Sequence, residues 1–190
     1  MTRGLYSGPW RVDITMREGV VTRVSGASLA RAVVAAVEAA GAPRPASIGL
    51  ILADDTELAE LNAAHLGVRG PTDVLSFPLL SPDAFPPHPG ASHLGAAAAA
   101  SPIRFLLPPG RRLHLGDIVI SVERAVAQAE SGRGGQSGDV RSSAADELLL
   151  LATHGALHVC GWDHAEPVEE AAMRALERRL LQSAVPRSGP

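Results

Sequence analysis

The tightest constraint on this chain is the stretch His154-Gly155-Ala156-Leu157-His158-Val159-Cys160-Gly161-Trp162-Asp163-His164, which gathers three of its seven histidines. Residues four apart share a helix face, so His154 and His158 direct two imidazoles at one point. Gly161 is free to take positive φ and close the helix. A turn through Trp162 and Asp163 then lets His164 swing back to the same place. Two donors from a helix and one from the following turn make three corners of a tetrahedron. Three protein ligands with one open position are the pattern of a catalytic transition-metal centre rather than a structural one. Imidazole suits zinc, copper, iron and nickel, with zinc the first expectation. A lone histidine on an apolar helix face is ordinarily a packed core residue. Three at this spacing, with glycine at the turn, point to a metal. Cys160, two residues beyond His158, faces away from the histidine seam and reads as packing.

The spacing is similar to the extended zincin motif H-E-x-x-H-x-x-G-x-x-H, with one break. Gly155 stands where that motif carries its glutamate, the general base of those proteases. A peptidase reading therefore lacks its proton acceptor. The pattern His154-Gly-x-Leu-His158-x-x-Gly161-x-Asp163-His164 instead resembles the signature of the YbeY family of metal-dependent ribosomal RNA maturation factors and endoribonucleases. Two further segments carry the resemblance in the same order, P-T-D-V-L-S-F at 71–77 and L-G-D-I at 115–118. The likeness covers roughly residues 47–180, apart from an insertion.

The resemblance implies a mixed α/β fold, a sheet of about four strands with helices around it, and a three-histidine metal site on a central helix and the turn after it. It implies one Zn2+ per chain on His154, His158 and His164. It also implies a single-strand-specific endoribonuclease acting in small-subunit ribosomal RNA 3′-end maturation and ribosome quality control, with ribosomal RNA and ribosomal subunits as partners. Thr72, Asp73 and Ser76 are then expected to line or support the cleft, and Asp163 to orient His164. The open metal position would take water or a phosphate oxygen. No general base stands out; Asp73, Asp117 and Asp163 are candidates, and the RNA 2′-hydroxyl is an alternative nucleophile. Many members carry an arginine five residues before the proline of the P-T-D segment. Here that position is Leu66, and Arg69 is the nearby candidate to replace it. Two other readings stay open: a ribosome assembly factor whose metal is mainly structural, and a metal-dependent hydrolase of another substrate.

Composition narrows the rest. A length of 190 residues with 46% hydrophobic content suits one domain with a proper core. A single cysteine excludes an internal disulfide framework and suits a reducing compartment. Neither an apolar signal segment nor a membrane-length run is evident, so a cytoplasmic protein with no membrane partner is expected. The net charge of −3 confines any RNA-binding surface to a local patch. All 17 basic residues are arginine, which excludes lysine Schiff-base and P-loop chemistry.

Along the chain, Trp10, Val12 and Ile14 alternate with Arg11, Asp13 and Thr15 as a half-buried strand. Val20–Val24 reads either as a hairpin partner or as a lead into a helix capped by Ser28, which Gly41 and Pro43 end. Ser47–Leu52 reads as a strand, and Asp54 with Glu57 as a helix start resembling a capping box. Residues 81–112, rich in proline and alanine, read as an insertion in a single domain spanning 1–190. His88 and His93 in it are expected to be exposed. Arg104, Arg111 and Arg112 form the best local basic cluster for RNA. A buried strand at 115–121 and a helix from Val122 capped by Ser121 follow. A Gly/Ser-rich loop over 131–143 leads to the histidine-bearing helix, and a last helix starts at Pro167.

Overall fold

The computed structural model describes residues 2–89, 111–131 and 143–184. In chain order these form β1 (Thr2–Ser7), β2 (Trp10–Met16), α1 (Gly26–Ala39), β3 (Ala46–Ala53), α2 (Asp55–Leu66), β4 (Val74–Pro78), a short 3-10 helix (Pro82–Ala84), β5 (Leu113–Ser121), α3 (Val122–Ser131), α4 (Ala144–Val159) and α5 (Pro167–Ala184). The sheet runs in the order β1-β2-β3-β5-β4. Its centre is parallel, with antiparallel pairs β1/β2 and β4/β5 at the two edges.

The alternation in β2 buries Trp10, Val12 and Ile14 and leaves the intervening Arg11, Asp13 and Thr15 half-buried. Ile48, Leu50 and Leu52 of β3 join the same core, as do Leu115, Ile118 and Ile120 of β5. Helices α1, α3, α4 and α5 cover that face. On the other face α2 covers only a smaller cluster of Ala53, Leu58, Leu75 and Val119. The histidine-bearing α4 packs against α1, α3, α5, β4 and β5, so it is the central helix. Rigid surroundings of this kind hold ligands within a narrow geometry.

The sheet has five strands among the described residues, where about four were expected. The addition is β1, Thr-Arg-Gly-Leu-Tyr-Ser, exposed at every position but Leu5. It has no apolar alternation to announce it, and it exists through backbone pairing with β2. Val20–Val24 is neither strand nor helix. The cap of α1 lies three residues earlier than Ser28, at Ser25, which is in extended conformation and accepts from the Ser28 amide at 3.1 Å. Ser121 caps as read, its Oγ accepting from Arg124 N at 3.1 Å, but only half of the expected capping box forms at α2: Asp54 accepts from Glu57 N at 2.8 Å, while the Glu57 carboxylate turns to Arg17. The start of the insertion is built into the fold, since Phe85 is only 6% exposed. His93, Arg104 and Phe105 lie outside the described residues, as does most of the Gly/Ser-rich loop. Among the described residues no helix is long and apolar enough to cross a membrane.

Candidate metal centre

Helix α4 is fixed at both ends. Ser143 and Asp146 form a reciprocal capping box at its start. At its end Cys160 is the cap, and Gly161 takes φ 82°, which a residue with a side chain rarely adopts. The Trp162 amide turns back to Leu157 O at 3.1 Å, and Asp163 Oδ1 accepts from the His164 amide at 2.7 Å. The turn expected from sequence is thus tied down by its own hydrogen bonds, and Asp163 contacts His164 at its backbone amide.

The result brings one nitrogen from each of His154, His158 and His164 within 4.8 Å of the others, an arrangement that can hold a metal ion. The rings of His154 and His158 lie 4.5 Å apart and nearly perpendicular, with their Nε2 atoms 3.0 Å apart. His164 closes the set at 5.0 Å from His158 and 5.6 Å from His154. His154 Nδ1 donates to Glu177 Oε1 at 2.7 Å, and Glu177, on α5, is fully buried. A carboxylate only accepts, so the proton sits on Nδ1 and the lone pair on Nε2 faces the other imidazoles. A carboxylate behind a histidine is the usual support of a metal ligand. Burial, then the neighbouring His154 and His164, push His158 down to about 4, so its ring is neutral at pH 7 and has a lone pair to give. The donor set therefore fits a transition metal in identity and support. Cys160 is not part of it: burial pushes its thiol up to about 12, where it stays protonated and packs.

Gly155 has a steric reason. A Cβ there would sit 2.6 Å from Ile118 Cγ2, 3.2 Å from Ser76 Oγ and 3.3 Å from Val74 Cγ2. The helix lies directly on β4 and β5, so a zincin-like glutamate has no room at this position.

Two cavities flank the histidines. One of about 760 Å³ is lined by Leu66, Ser76, Phe77 and Trp162 along with all three histidines. The other, of about 360 Å³, lies between His154, His164, Gln128, Glu147 and Arg174. Asp73 lines both cavities; its Oδ1 accepts from Val74 N at 2.9 Å and its Oδ2 from Gln128 Nε2 at 2.9 Å. Ser76 Oγ donates to Gly155 O at 3.1 Å, which ties β4 to the ligand helix.

The remaining candidates lie elsewhere. Arg69 is exposed and lines neither cavity. Asp117 alternates with Ile118 and so faces away from α4. Its Oδ1 accepts from His114 Nε2 at 3.2 Å, and His114 Nδ1 is 3.1 Å from Ser47 Oγ. Arg111 is exposed, and Arg112 lies over the Tyr6 ring at 5.5 Å, beside β1. His88 is not the exposed loop residue expected: its ring stacks on Trp162 at 4.3 Å, and its Nε2 meets Gly161 O at 3.1 Å. Sequence reasoning missed Glu177, Gln128 and Arg174. For Glu177 a signal existed, since it falls four residues after Met173 on the buried face of an amphipathic helix, where an acid is out of place.

The family model described as "Endoribonuclease YbeY" matches residues 15–185. A protein named Endoribonuclease YbeY from Roseiflexus sp. (strain RS-1) is 35% identical over 173 residues, covering 90% of this chain and 91% of that one. Another of the same name from Salinispora tropica is 40% identical over 148 residues, covering 78% and 80% respectively. With the three-histidine cluster, its buried carboxylate and a match over nearly the whole fold, the chain belongs to the YbeY family.

Proposed function

We propose that this chain is a zinc-dependent endoribonuclease that cleaves single-stranded RNA in the maturation of ribosomal RNA, at the small-subunit 3′ end, and in ribosome quality control. Ribosomal RNA and ribosomal subunits are its partners in the cytoplasm. The observation that carries the reading is the convergence of His154, His158 and His164 beside two open cavities, in a chain whose relatives are named endoribonucleases.

His154, His158 and His164 would hold the ion. When bound, it supplies Lewis acidity toward a phosphoryl oxygen and an attacking water. Glu177 keeps the His154 ring turned with Nε2 inward. Ser76 spends its hydroxyl proton on Gly155 O and so acts as a positioning residue. Of the carboxylates suggested by sequence, Asp73 is carried forward as proton acceptor because it lines both cavities, whereas Asp117 lines neither. Gln128 and the Val74 amide hold its oxygens in place. The peptidase alternative loses further ground, because Gly155 leaves no space for the base it needs.

The test is elemental analysis of the purified chain and of His158→Ala, alongside cleavage of single-stranded and structured ribosomal RNA. Near-stoichiometric zinc in the parent, lost together with cleavage in a still-folded variant, is the expected result. Bound zinc without cleavage by the parent would replace this reading with that of an assembly factor holding a structural metal. No bound transition metal after supplementation would overturn it.

A further inference from the structure

We infer that Arg174 is the phosphate anchor of this site, gripping the RNA backbone beside the phosphate that is cleaved; the inference rests on the ribonuclease reading. Among the described residues, no arginine lines the larger cavity, and Arg174 is the single one lining the smaller. The smaller cavity otherwise carries the carboxylates of Asp73, Glu147, Glu170 and Glu177. An RNA strand brings one negative charge per nucleotide. It would be repelled from such a cavity unless a cation met it there. The histidine cluster provides for charge at one point only, and Arg174 provides the second.

The placement of Arg174 is set by the element that orients the ligands. It lies three residues before Glu177 on α5, so it adjoins the helix face whose carboxylate holds His154. The span between the histidines and the guanidinium is thereby set by the packing of α5 on α4. Arg174 pairs with Glu170 one turn earlier, with the two side chains 48% and 41% exposed. An exposed pair of this kind is weak and screened by salt. A phosphate offers two oxygens to the guanidinium fork and displaces the carboxylate readily. On the other side of the histidines, Leu66, Phe77 and Leu80 give the larger cavity an apolar wall suited to an unstacked base. The strand then crosses the metal with a base on the β4 side and a phosphate on the α5 side.

The test uses the full chain loaded with zinc and a short fluorescein-labelled, single-stranded 2′-O-methyl oligoribonucleotide. Binding is read by anisotropy across a salt series for the parent, Arg174→Ala, Arg174→Lys and Glu170→Gln. Arg174→Ala is expected to weaken binding about tenfold and to flatten the log–log salt slope by about 0.7, the loss of one phosphate contact on a single strand. Arg174→Lys recovers part of the affinity. Glu170→Gln, which removes the competing carboxylate, tightens binding about twofold. A merely structural ion pair would move Arg174→Ala and Glu170→Gln in the same direction, and that result overturns the inference. So does a parent-like affinity and slope in Arg174→Ala, or no binding by the parent at low salt. Cleavage of the unmodified RNA of the same sequence is followed in parallel. Arg174-dependent binding without cleavage removes the ribonuclease activity but leaves the anchor. Cleavage that is unchanged in Arg174→Ala removes the anchor alone.

Discussion

Glu177→Gln separates the support of the metal site from the stability of the fold. In the parent, His154 Nδ1 donates to Glu177 Oε1 at 2.7 Å, a hydrogen bond assisted by the carboxylate charge. Glutamine keeps the length and an oxygen acceptor but removes that charge. Hydrogen bonds to charged groups contribute about 1.5–3 kcal/mol against about 1 for neutral ones. The substitution should therefore cost His154 about 1–2 kcal/mol of support as a ligand, equivalent to about 5- to 30-fold in zinc affinity. The metal-stripped fold should respond differently. Glu177 is fully buried, and its Oε2 has no hydrogen-bond partner among the described residues. A buried, half-satisfied carboxylate costs stability, and a neutral amide relieves part of that cost. The stripped variant should thus unfold within about 1 kcal/mol of the stripped parent. Competition against a chromophoric zinc chelator gives the affinity, and urea denaturation in excess chelator gives the stability. Parent-like zinc affinity in a folded Glu177→Gln protein would refute the supporting role. A stripped variant that no longer folds would show the carboxylate to be first a structural residue.

Three further outcomes follow from the same geometry. His158 sits at about 4 in the folded chain against an ordinary value of 6.5, so the unfolded chain takes up the proton first. Stability of the stripped protein should be fully present above pH 6.5 and fall by about 3 kcal/mol as the pH drops through 4, measurable as a shift in urea midpoint and absent in a flat profile. Gly155→Ala would gain about 1 kcal/mol on a free helix but here drives a methyl to 2.6 Å from Ile118 Cγ2, so a net loss of about 1–3 kcal/mol is expected; a stabilised variant would refute the close helix–sheet contact. Cys160, buried and pushed up to about 12, should resist alkylation at mildly alkaline pH until the chain is unfolded in denaturant, and rapid labelling of the native protein would contradict its packing role.

Much of the three-histidine cluster was legible because it is local. His154 and His158 share a face by helix periodicity alone, and Gly161 marks where the chain leaves the helix. The same holds for strand β2, with its strict alternation, and for the caps at Asp54 and Ser121. Where the local signal was weak the reading slipped. The polar β1 has no pattern of its own, and Ser25 and Ser28 are equally good caps until the backbone chooses between them. Asp117 and Asp73 illustrate a different limit. Both are aspartates beside apolar strand residues, yet one belongs to His114 on the far face of the sheet and the other lines both cavities.

By itself the sequence determined which three histidines converge and the turn that delivers His164, since both depend on spacing within one element and the residue that ends it. Only the tertiary structure decided what stands opposite them. Glu177 reaches His154 across 23 residues because α5 packs against α4. Gly155 is forced by contact with β5, Ser76 is tied to the helix from β4, and Arg174 meets the histidines' cavity from α5. Periodicity states which way a side chain points from its own element. What it points at is set by how separate elements share one core, and that choice rests on packing summed over the whole chain.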